Sequence, residues 1–466
     1  MVATPILLLA EVWDSNAFAT LRHHPAVLGA GALIAIAAIL VAGALLARRW
    51  PGIVAVAAVI ALPFRIPVTI GGQTANLLLP LYLVIAAGSV AYVLPRLRRG
   101  HPGEEQPPGP IEWALAGTLV LYAVQATYTS DFSQAAQHLA FFYVPFALLY
   151  ALLSRMPWST RLVRDCAAVF VGLALLFAAV GFVELAVHGV LWNAKLEQSN
   201  AYNAYFRVNS LFFDPNIYGR FLVVVMSFAA VAVAWAKSFR DGRWALALLV
   251  VLWLALLTTL SQSSLGALLA SLGLIVAVCG YARLIAVIAA AVALLAVLLV
   301  VAAPGALHLP SDDVGSLRKA TSGRSTLVRG GADLISERPV LGFGAGSFQK
   351  EYERIHGNPS TNDVSASHTT PITIAAEQGL PGIAMYLALL VGAFWVMLSG
   401  ARASPVRVAI AAAFVALVFH TFVYAAFLED PLAWGLLAAG AALARRPLEV
   451  TARDPAGVPP APALAN

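Results

Sequence analysis

Long apolar runs separated by short polar turns repeat along almost the whole chain. An apolar run of about 18 residues is long enough to cross the hydrocarbon core of a bilayer as an α-helix. The pattern therefore predicts an all-α, polytopic membrane protein with about 12–13 transmembrane helices. The predicted segments are Val27–Leu46, a run from Gly52 that Pro63 breaks, Leu77–Leu94, Ile111–Thr127, His138–Leu153, Cys166–His188, Ile217–Trp235, Trp244–Leu260, Leu265–Tyr281, Leu284–Ala303, Pro381–Leu398, Val408–Phe427 and Leu432–Ala444.

One long hydrophilic stretch interrupts this pattern late in the chain and predicts a large extracytoplasmic loop that carries short helices. One short helix is expected from about Arg324 to Ser336, ended by Pro339, and another from about Ser347. The predicted organisation is ten transmembrane helices in residues 1–303 with a smaller outer loop at 191–216, the large loop at 304–370, C-terminal transmembrane helices at 371–446, and a disordered cytoplasmic tail at 447–466.

Composition and charge agree with this picture. Hydrophobic residues make up 60% of the chain, charged residues make up 11%, and the mean hydropathy is +0.82, which excludes a water-soluble enzyme. The net charge of +6 does not indicate a nucleic-acid partner, because the basic residues cluster in every second turn. By the positive-inside rule those turns and the C-terminus are cytoplasmic. The opposite face then carries the turn at Asp131, the 191–216 loop, Ser261–Ser264, the large loop and Glu429–Asp430.

The glycine run Gly342–Gly346 precedes the predicted helix at Ser347. A glycine-rich turn that feeds a helix N-terminus presents free backbone N–H groups to an anion. The alternative is a turn that only packs beneath the loop, since neither a P-loop sequel nor a preceding strand is present.

A histidine lies where the large loop returns to the membrane. His368 precedes Pro371, which suits the first turn of a helix that Gly379 and Pro381 then break. Glu377 lies about two turns further along that helix. An ordinary surface histidine is the alternative interpretation. The functional one gains weight because Arg324, Arg329 and Arg338 share the same compact loop.

The smaller outer loop contributes Arg207, and Asp214 or Asn216 is placed to cap the helix that follows. Arg220 lies one turn inside that helix, and an ionisable residue in a membrane segment normally faces a polar cavity or a partner. Other segments carry polar residues at similar depth, namely Gln125, Glu184 and His420. They suggest a polar cavity that opens outward, and the alternative is that they form packing pairs.

Several motifs occur together and in one order: Phe213–Asp214–Pro215–Asn216, then Gly323–Arg324, then the run Glu337–Phe348 (ERPVLGFGAGSF), then Ser367–His368–Thr369–Thr370, then Glu377–Gly382 (EQGLPG). With these motifs, about Phe206 to Leu398 resembles the O-antigen ligase and O-antigen polymerase superfamily. The resemblance implies a GT-C type glycosyltransferase, a multi-pass protein of the bacterial inner membrane. It would transfer a glycan from undecaprenyl diphosphate to a hydroxyl of a glycan, lipid or protein acceptor on the periplasmic side, without a metal or another cofactor.

The resemblance also implies roles for individual residues. His368 matches the family's essential loop histidine and Arg324 matches the arginine that begins the loop motif, so both are catalytic candidates. Arg207 or Arg220 matches the arginine of the preceding loop region, and these two with Arg338 are the candidates for binding diphosphate. Asp214, Asn216 and Glu377 are expected to support the site. No Asp-x-Asp motif or His/Cys cluster occurs in the outer loops, so no metal site is predicted.

One departure from the family pattern concerns the turn before Leu265. Many members carry Ser-Arg there, whereas this chain has Gln262–Ser263–Ser264. Ligase and polymerase remain alternatives, because both remove a prenyl diphosphate and differ in the acceptor. A transporter or flippase for a lipid-linked or polar solute is the competing class, although the chain shows no convincing internal repeat and its polar residues gather toward one face.

Overall fold

The computed structural model describes residues 25–70, 73–99, 107–191, 194–202, 205–281, 324–357, 367, 369–422 and 427–448. Most of these residues are helical. The helices are α1 (Pro25–Arg49), α2 (Ile53–Ala61), α3 (Leu79–Arg99), α4 (Pro110–Ala126), α5 (Phe132–Ser154, with a π-helical turn at Leu139–Tyr143), α6 (Thr160–Val187), α7 (Ala194–Tyr202), α8 (Pro215–Ala234), α9 (Phe239–Thr259), α10 (Gln262–Val276), α11 (Arg324–Glu337), α12 (Phe348–His356), α13 (Thr370–Leu398), α14 (Pro405–Thr421) and α15 (Pro431–Arg445).

Six helices within the described residues are long and apolar enough to cross a membrane: α5, α6, α8, α9, α13 and the helix Gln262–Gly280 that begins as α10. Shorter apolar helices accompany them at Leu79–Val93, Pro405–Thr421 and Pro431–Arg445. The all-α, polytopic membrane fold is thereby confirmed. The predicted segment Leu284–Ala303 and most of the predicted tail lie outside the described residues.

A short β-hairpin follows α2 where the sequence predicted only a broken helix. Strand β1 (Ile66–Ile70) pairs antiparallel with β2 (Gln73–Leu77), with Ile66 opposite Leu77 and Ile70 opposite Gln73. The signal is present in the sequence, because two β-prone runs flank the pair Gly71–Gly72, a common two-residue hairpin connection. The hydropathy pattern hides it, since both strands adjoin long apolar segments.

The connections predicted to share one face do meet at one end of the helix bundle, which we call the loop end. The Thr129 hydroxyl donates to the carbonyl of Ala345 at 2.8 Å, which joins the α4–α5 turn to the glycine run. The amide of Val208 donates to the carbonyl of Thr258 at 3.1 Å, which joins the smaller loop to the end of α9. The turn before α15 joins the same end through Glu429 and Asp430, whose pairs with His138 and Arg220 are described below.

The opposite end of the bundle, the arginine-rich end, carries the basic residues that flank α5, α6, α9, α14 and α15. Arg445 forms an ion pair there with Glu112 at the start of α4. Ser159 and Ser238 begin α6 and α9 at this end, and each side chain accepts a backbone N–H of the first helical turn. The polar turns and the basic turns, which the sequence predicted to alternate along the chain, therefore lie at opposite ends of the bundle.

The core is centred on α8, which packs against α6, α9, α10 and α14. Almost every residue of α8 from Pro215 to Val231 is buried, as expected of a helix that is apolar on all sides. The position of α8 places Arg220, which is 5% exposed, inside the protein instead of against lipid.

Candidate functional site

The N-terminus of α8 is built by the Asp214–Pro215–Asn216 sequence. The Asp214 carboxylate accepts the Asn216 amide at 2.6 Å, so Asp214 is the N-cap, and Pro215 occupies the first turn. Asn216 and Arg220 are four residues apart and therefore share one face of the helix. This cap fixes both polar side chains at the loop end.

Arg220 pairs with Asp430 inside the protein. One Arg220 nitrogen lies 3.0 Å from Asp430 Oδ2, and both side chains are 6% exposed. The other carboxylate oxygen of Asp430 accepts the Leu432 amide at 3.0 Å and caps α15. The expectation that Arg220 faces a polar partner is confirmed, and the pair ties α8 to α15.

Arg207 is held differently. Its Nε donates to the carbonyl of Thr259 at 3.0 Å, and one terminal nitrogen lies 3.5 Å from Asn216 Oδ1. The Asn200 side chain accepts the Arg207 amide at 3.0 Å and donates to its carbonyl at 2.9 Å, which fixes the backbone. Among the described residues no carboxylate lies within ion-pair distance of Arg207. Within this part of the chain, carbonyl dipoles at the end of α9 face its positive charge.

Hydroxyl groups fill the turn at Ser261–Ser264. The Ser261 hydroxyl donates to Asn216 Oδ1 at 2.8 Å, and Ser263 Oγ lies 3.2 Å from His420 Nε2. His420 is 1% exposed. The hydroxyl–histidine cluster was not predicted as a unit, because its members come from α8, α10 and α14.

The glycine run and the helices around it form a compact unit, the loop unit, made of α11, residues 338–347, α12 and the first turns of α13. Leu334, Phe343, Phe348 and Tyr352 build its small apolar core. The predicted boundaries are confirmed closely, since α11 ends at Glu337 and Ser347 precedes α12.

The anion at the glycine run is the protein's own Glu377. This buried carboxylate accepts the amides of Gly346 at 3.0 Å and Phe348 at 3.1 Å. The Gly344 amide donates to the Glu377 carbonyl at 2.8 Å. The interpretation as a packed turn is therefore the one the structure supports, and Glu377 is the residue that fastens it.

Glycine is required at two positions of this run. Gly344 has φ +99°, and a Cβ there would lie 2.5 Å from the Thr129 Cα. Gly342 has φ +69°, and a Cβ would collide with the Glu377 carbonyl. The close approach lets Gln125 Nε2 donate to the carbonyl of Gln378 at 3.0 Å. The loop unit is thereby docked on the end of α4.

The remaining arginines of the loop unit differ in setting. Arg338 is exposed and lies over the Phe343 ring at 4.8 Å. Arg354 contacts the same ring at 5.5 Å and pairs with Glu337 and Glu351. The hydrogen bond to Glu337, and to a smaller extent the one to Glu351, raises the pKa of Arg354 above its ordinary value. Both arginines thus take part in packing the loop unit.

Of the two catalytic candidates, the structure describes the helix position of Arg324 but not His368. Arg324 begins α11, and α11 packs against the start of α13, where Gly331 faces Ile372 and Ser367. His368 lies outside the described residues, although its neighbours Ser367 and Thr369 are described. The convergence of His368 with Arg207, Arg220 and Arg324 therefore stays a prediction.

The polar residues predicted to line one outward cavity serve separate loops instead. Glu184 accepts the amides of Leu191 at 3.1 Å and Ser210 at 2.7 Å, so it organises the smaller outer loop. Gln125 holds the loop unit and His420 belongs to the serine turn. Among the described residues Glu184 forms no ion pair with an arginine, and its carboxylate binds backbone amides.

A second polar cluster, centred on His138 of α5, was missed by the sequence reasoning. Its Nδ1 lies 3.0 Å from the Tyr122 hydroxyl and 3.8 Å from Glu429, and its Nε2 lies 2.8 Å from Gln134. The available signal was the pair Glu429–Asp430 in a polar turn. The two carboxylates of that pair serve different partners, His138 and Arg220.

An apolar cavity of about 290 Å³ lies between α2, α5, α6, α8, α9, α14 and α15. Leu432, in the first turn of α15, lines it beside the helix cap made by Asp430. Further lining residues include Val225, Leu149 and Phe170. Within the described part of the chain, no three His, Cys, Asp or Glu side chains are grouped to hold a metal.

The chain was compared with known protein families. Residues 246–387 match the family described as O-antigen ligase. The matched region contains the serine turn, the loop unit and part of α13, but not Arg207, Arg220 or Asp430. No curated protein matches the chain.

Proposed function

From the O-antigen ligase match, which supports membership of this chain in that superfamily, we propose that the protein is a glycosyltransferase that moves a glycan from undecaprenyl diphosphate to an acceptor hydroxyl. The reaction takes place at the loop end, on the extracytoplasmic side of the cell membrane, without a metal. The family supports an O-antigen ligase-like enzyme in general. The donor, the side of the membrane and the metal independence are our proposal.

The observation that carries the proposal is the neighbourhood of Arg220. Arg207 contacts Asn216 in the first turn of α8, and Arg220 lies one turn further along the same helix. The apolar cavity extends from Leu432, next to the residue that binds Arg220, toward the arginine-rich end, where Trp158 and Val406 line it. A prenyl diphosphate has this same division, with two phosphates joined to a long apolar chain.

In the proposed reaction, the acceptor oxygen attacks the anomeric carbon of the donor glycan. A bond forms between that oxygen and the carbon, and the bond from the carbon to the diphosphate oxygen breaks. The diphosphate leaves with the electron pair and a growing negative charge, which fixed guanidinium groups stabilise. The hydroxyl proton passes to a base, for which His368 is our candidate because imidazole titrates near neutral pH.

The two α8-proximal arginines are proposed to differ in role. Arg207 has no carboxylate partner among the described residues, so its charge is available to a phosphate. Arg220 is neutralised by Asp430, and the pair holds α8 and α15 in register beside the cavity. Arg207 is therefore our first candidate for binding diphosphate, and Arg220 is the second. Arg324 is assigned to the reacting end of the donor by the resemblance alone.

The test is reconstitution of the full chain with a defined undecaprenyl-diphosphate glycan and candidate acceptors, with no ion gradient. We expect product from the wild type, and losses of at least about 100-fold for His368→Ala and Arg324→Ala. Arg402→Ala is the matched control, since Arg402 is exposed at the arginine-rich end. Correct folding of each purified variant is checked by its elution volume in size-exclusion chromatography and by its unfolding midpoint.

The same experiment separates the alternatives. A ladder of lengthened lipid-linked glycans identifies a polymerase, and a single transfer to a lipid, polymer or protein identifies a ligase. Normal transfer rates in both His368→Ala and Arg324→Ala would remove these residues from the mechanism. Movement of the lipid-linked glycan across the bilayer with no covalent product would replace the transferase with a transporter.

A further inference from the structure

A second cavity lies at the arginine-rich end, away from the site proposed above. Its volume is about 480 Å³, within the range of about 300–1,000 Å³ that small-ligand pockets occupy. It is formed by the segment before α4, the end of α13, the start of α14 and the end of α15. Its lining includes Pro110, Glu112, Trp395, Ser399, Arg407 and Arg445.

Arg407 is the least expected residue in this lining. It lies in the first turn of α14 and is only 9% exposed. One terminal nitrogen donates to the carbonyls of Val396 at 3.0 Å and Ser399 at 2.5 Å, at the end of α13. Its Nε is buried and has no hydrogen-bond partner within the described part of the chain. A buried guanidinium with a spare donor is costly unless something accepts from it.

The second basic group of the cavity is already paired. Arg445 binds Glu112, and the same carboxylate accepts the Gly109 amide at 2.9 Å and the Tyr150 hydroxyl at 2.5 Å. With these partners Glu112 neutralises Arg445 and has little capacity for Arg407. The cavity therefore retains about one positive charge, located on Arg407.

The surroundings indicate where a ligand enters. Trp395 is 72% exposed and lines the cavity at the end of a membrane-spanning helix. Exposed tryptophans at such positions lie at the level of lipid head groups. Basic pockets between transmembrane helices at the basic, cytoplasmic side bind anionic head groups. Guanidinium nitrogens match the geometry of phosphate oxygens.

We propose that this cavity binds the phosphate group of an anionic phospholipid, held by Arg407 with Arg445 at its edge. The head group occupies the cavity, and the acyl chains run along the lipid-facing side of α13 past Trp395. The ligand bridges α13, α14 and α15 at the end of the bundle opposite the transfer site. This lipid acts on stability and not as a donor, so the proposal is independent of the glycosyltransferase assignment.

The competing explanation is that Arg407 only caps the C-terminus of α13. If Arg407 acts only as this cap, an anionic phospholipid should raise the unfolding midpoint no more than a neutral one does. The full chain is therefore studied in neutral detergent micelles that contain phosphatidylglycerol, phosphatidylcholine or inorganic phosphate at matched phosphate concentration. The measured quantity is the rise in unfolding midpoint with ligand, which gives an apparent affinity.

We expect phosphatidylglycerol to raise the midpoint more than phosphatidylcholine does. Arg407→Gln should weaken the apparent phosphatidylglycerol affinity about fivefold or more, the contribution of one basic residue near anionic lipid. Arg402→Gln is the control, because Arg402 is exposed and does not line the cavity. Should Arg407→Gln fail to fold without its cap, Ala444→Phe fills the cavity and leaves both arginines in place.

The outcomes are distinct. Loss of the phosphatidylglycerol effect in Ala444→Phe, with Arg402→Gln unchanged, supports the site. Equal midpoints with phosphatidylglycerol and phosphatidylcholine would overturn it, and so would a wild-type response in Ala444→Phe. An equal effect of inorganic phosphate would overturn the lipid as the source of the phosphate group.

Discussion

The buried pair Arg220–Asp430 gives the sharpest quantitative prediction. Removing one partner of a buried ion pair leaves an uncompensated charge and costs about 3–5 kcal/mol. Asp430→Asn should cost about 3–5 kcal/mol, because it removes the negative charge from the pair. It keeps the helix cap, since the amide oxygen can still accept the Leu432 amide. Asp430→Ala also removes the cap of α15 and should cost about 1 kcal/mol more.

The double variant Arg220→Met/Asp430→Asn removes both charges together. We expect it to be more stable than either single variant, because no unpaired charge remains in the core. The matched control is Asp165→Asn, whose partner Arg161 is 84% exposed and lies 3.8 Å away. That exposed pair should contribute no more than about 0.5 kcal/mol.

The assay is equilibrium unfolding in mixed micelles, followed by tryptophan fluorescence, together with the transfer assay on the same preparations. If Asp430→Asn and Asp165→Asn unfold alike, or if the two single changes at Arg220 and Asp430 simply add, the reasoning about the buried pair is wrong. If the double variant recovers stability but not transfer, the charge of Arg220 is needed for the reaction. Recovery of both would assign the pair a structural role only.

Three further predictions concern the loop end. Glu377→Ala removes the acceptor of two backbone amides and should destabilise the loop unit by about 2–4 kcal/mol, measured by faster limited proteolysis within residues 338–347. Gly344→Ala should lower the unfolding midpoint clearly more than Gly357→Ala, because both positions have positive φ but only the first Cβ meets a neighbour; equal losses would contradict the docking. Arg207→Lys should reduce kcat/KM at least about tenfold, since lysine cannot donate in the same planar fork, while the unfolding midpoint changes little; unchanged kinetics would remove Arg207 from diphosphate binding.

Features encoded by neighbouring residues were predictable from the sequence. Ser347 marked the start of α12 and Arg338–Pro339 marked the end of α11, within a residue. Gly379, followed closely by Pro381, predicted the break in α13, and its backbone is indeed non-helical there, although the helix continues beyond it. These outcomes follow because caps, glycines and prolines act on the turn in which they occur.

Features that depend on distant partners were not predictable. Asp430 is far from Arg220 in the sequence, and nothing local shows which turn supplies the carboxylate. The glycine run indicated either an anion site or a packed turn, and the sequence did not show that Glu377 binds it. Such pairings are set by how the helices pack, and packing determines which loops meet.

The adjacent residues Glu429 and Asp430 make the His138 cluster and the Arg220 pair mechanically dependent on each other. Consecutive Cα atoms are separated by a fixed distance of about 3.8 Å, so neither carboxylate can travel far without its neighbour. A ligand that displaces Asp430 from Arg220 is therefore expected to move Glu429 as well and to change its contact with His138 of α5. The short turn before α15 thus connects the buried pair of α8 to the histidine cluster of α5.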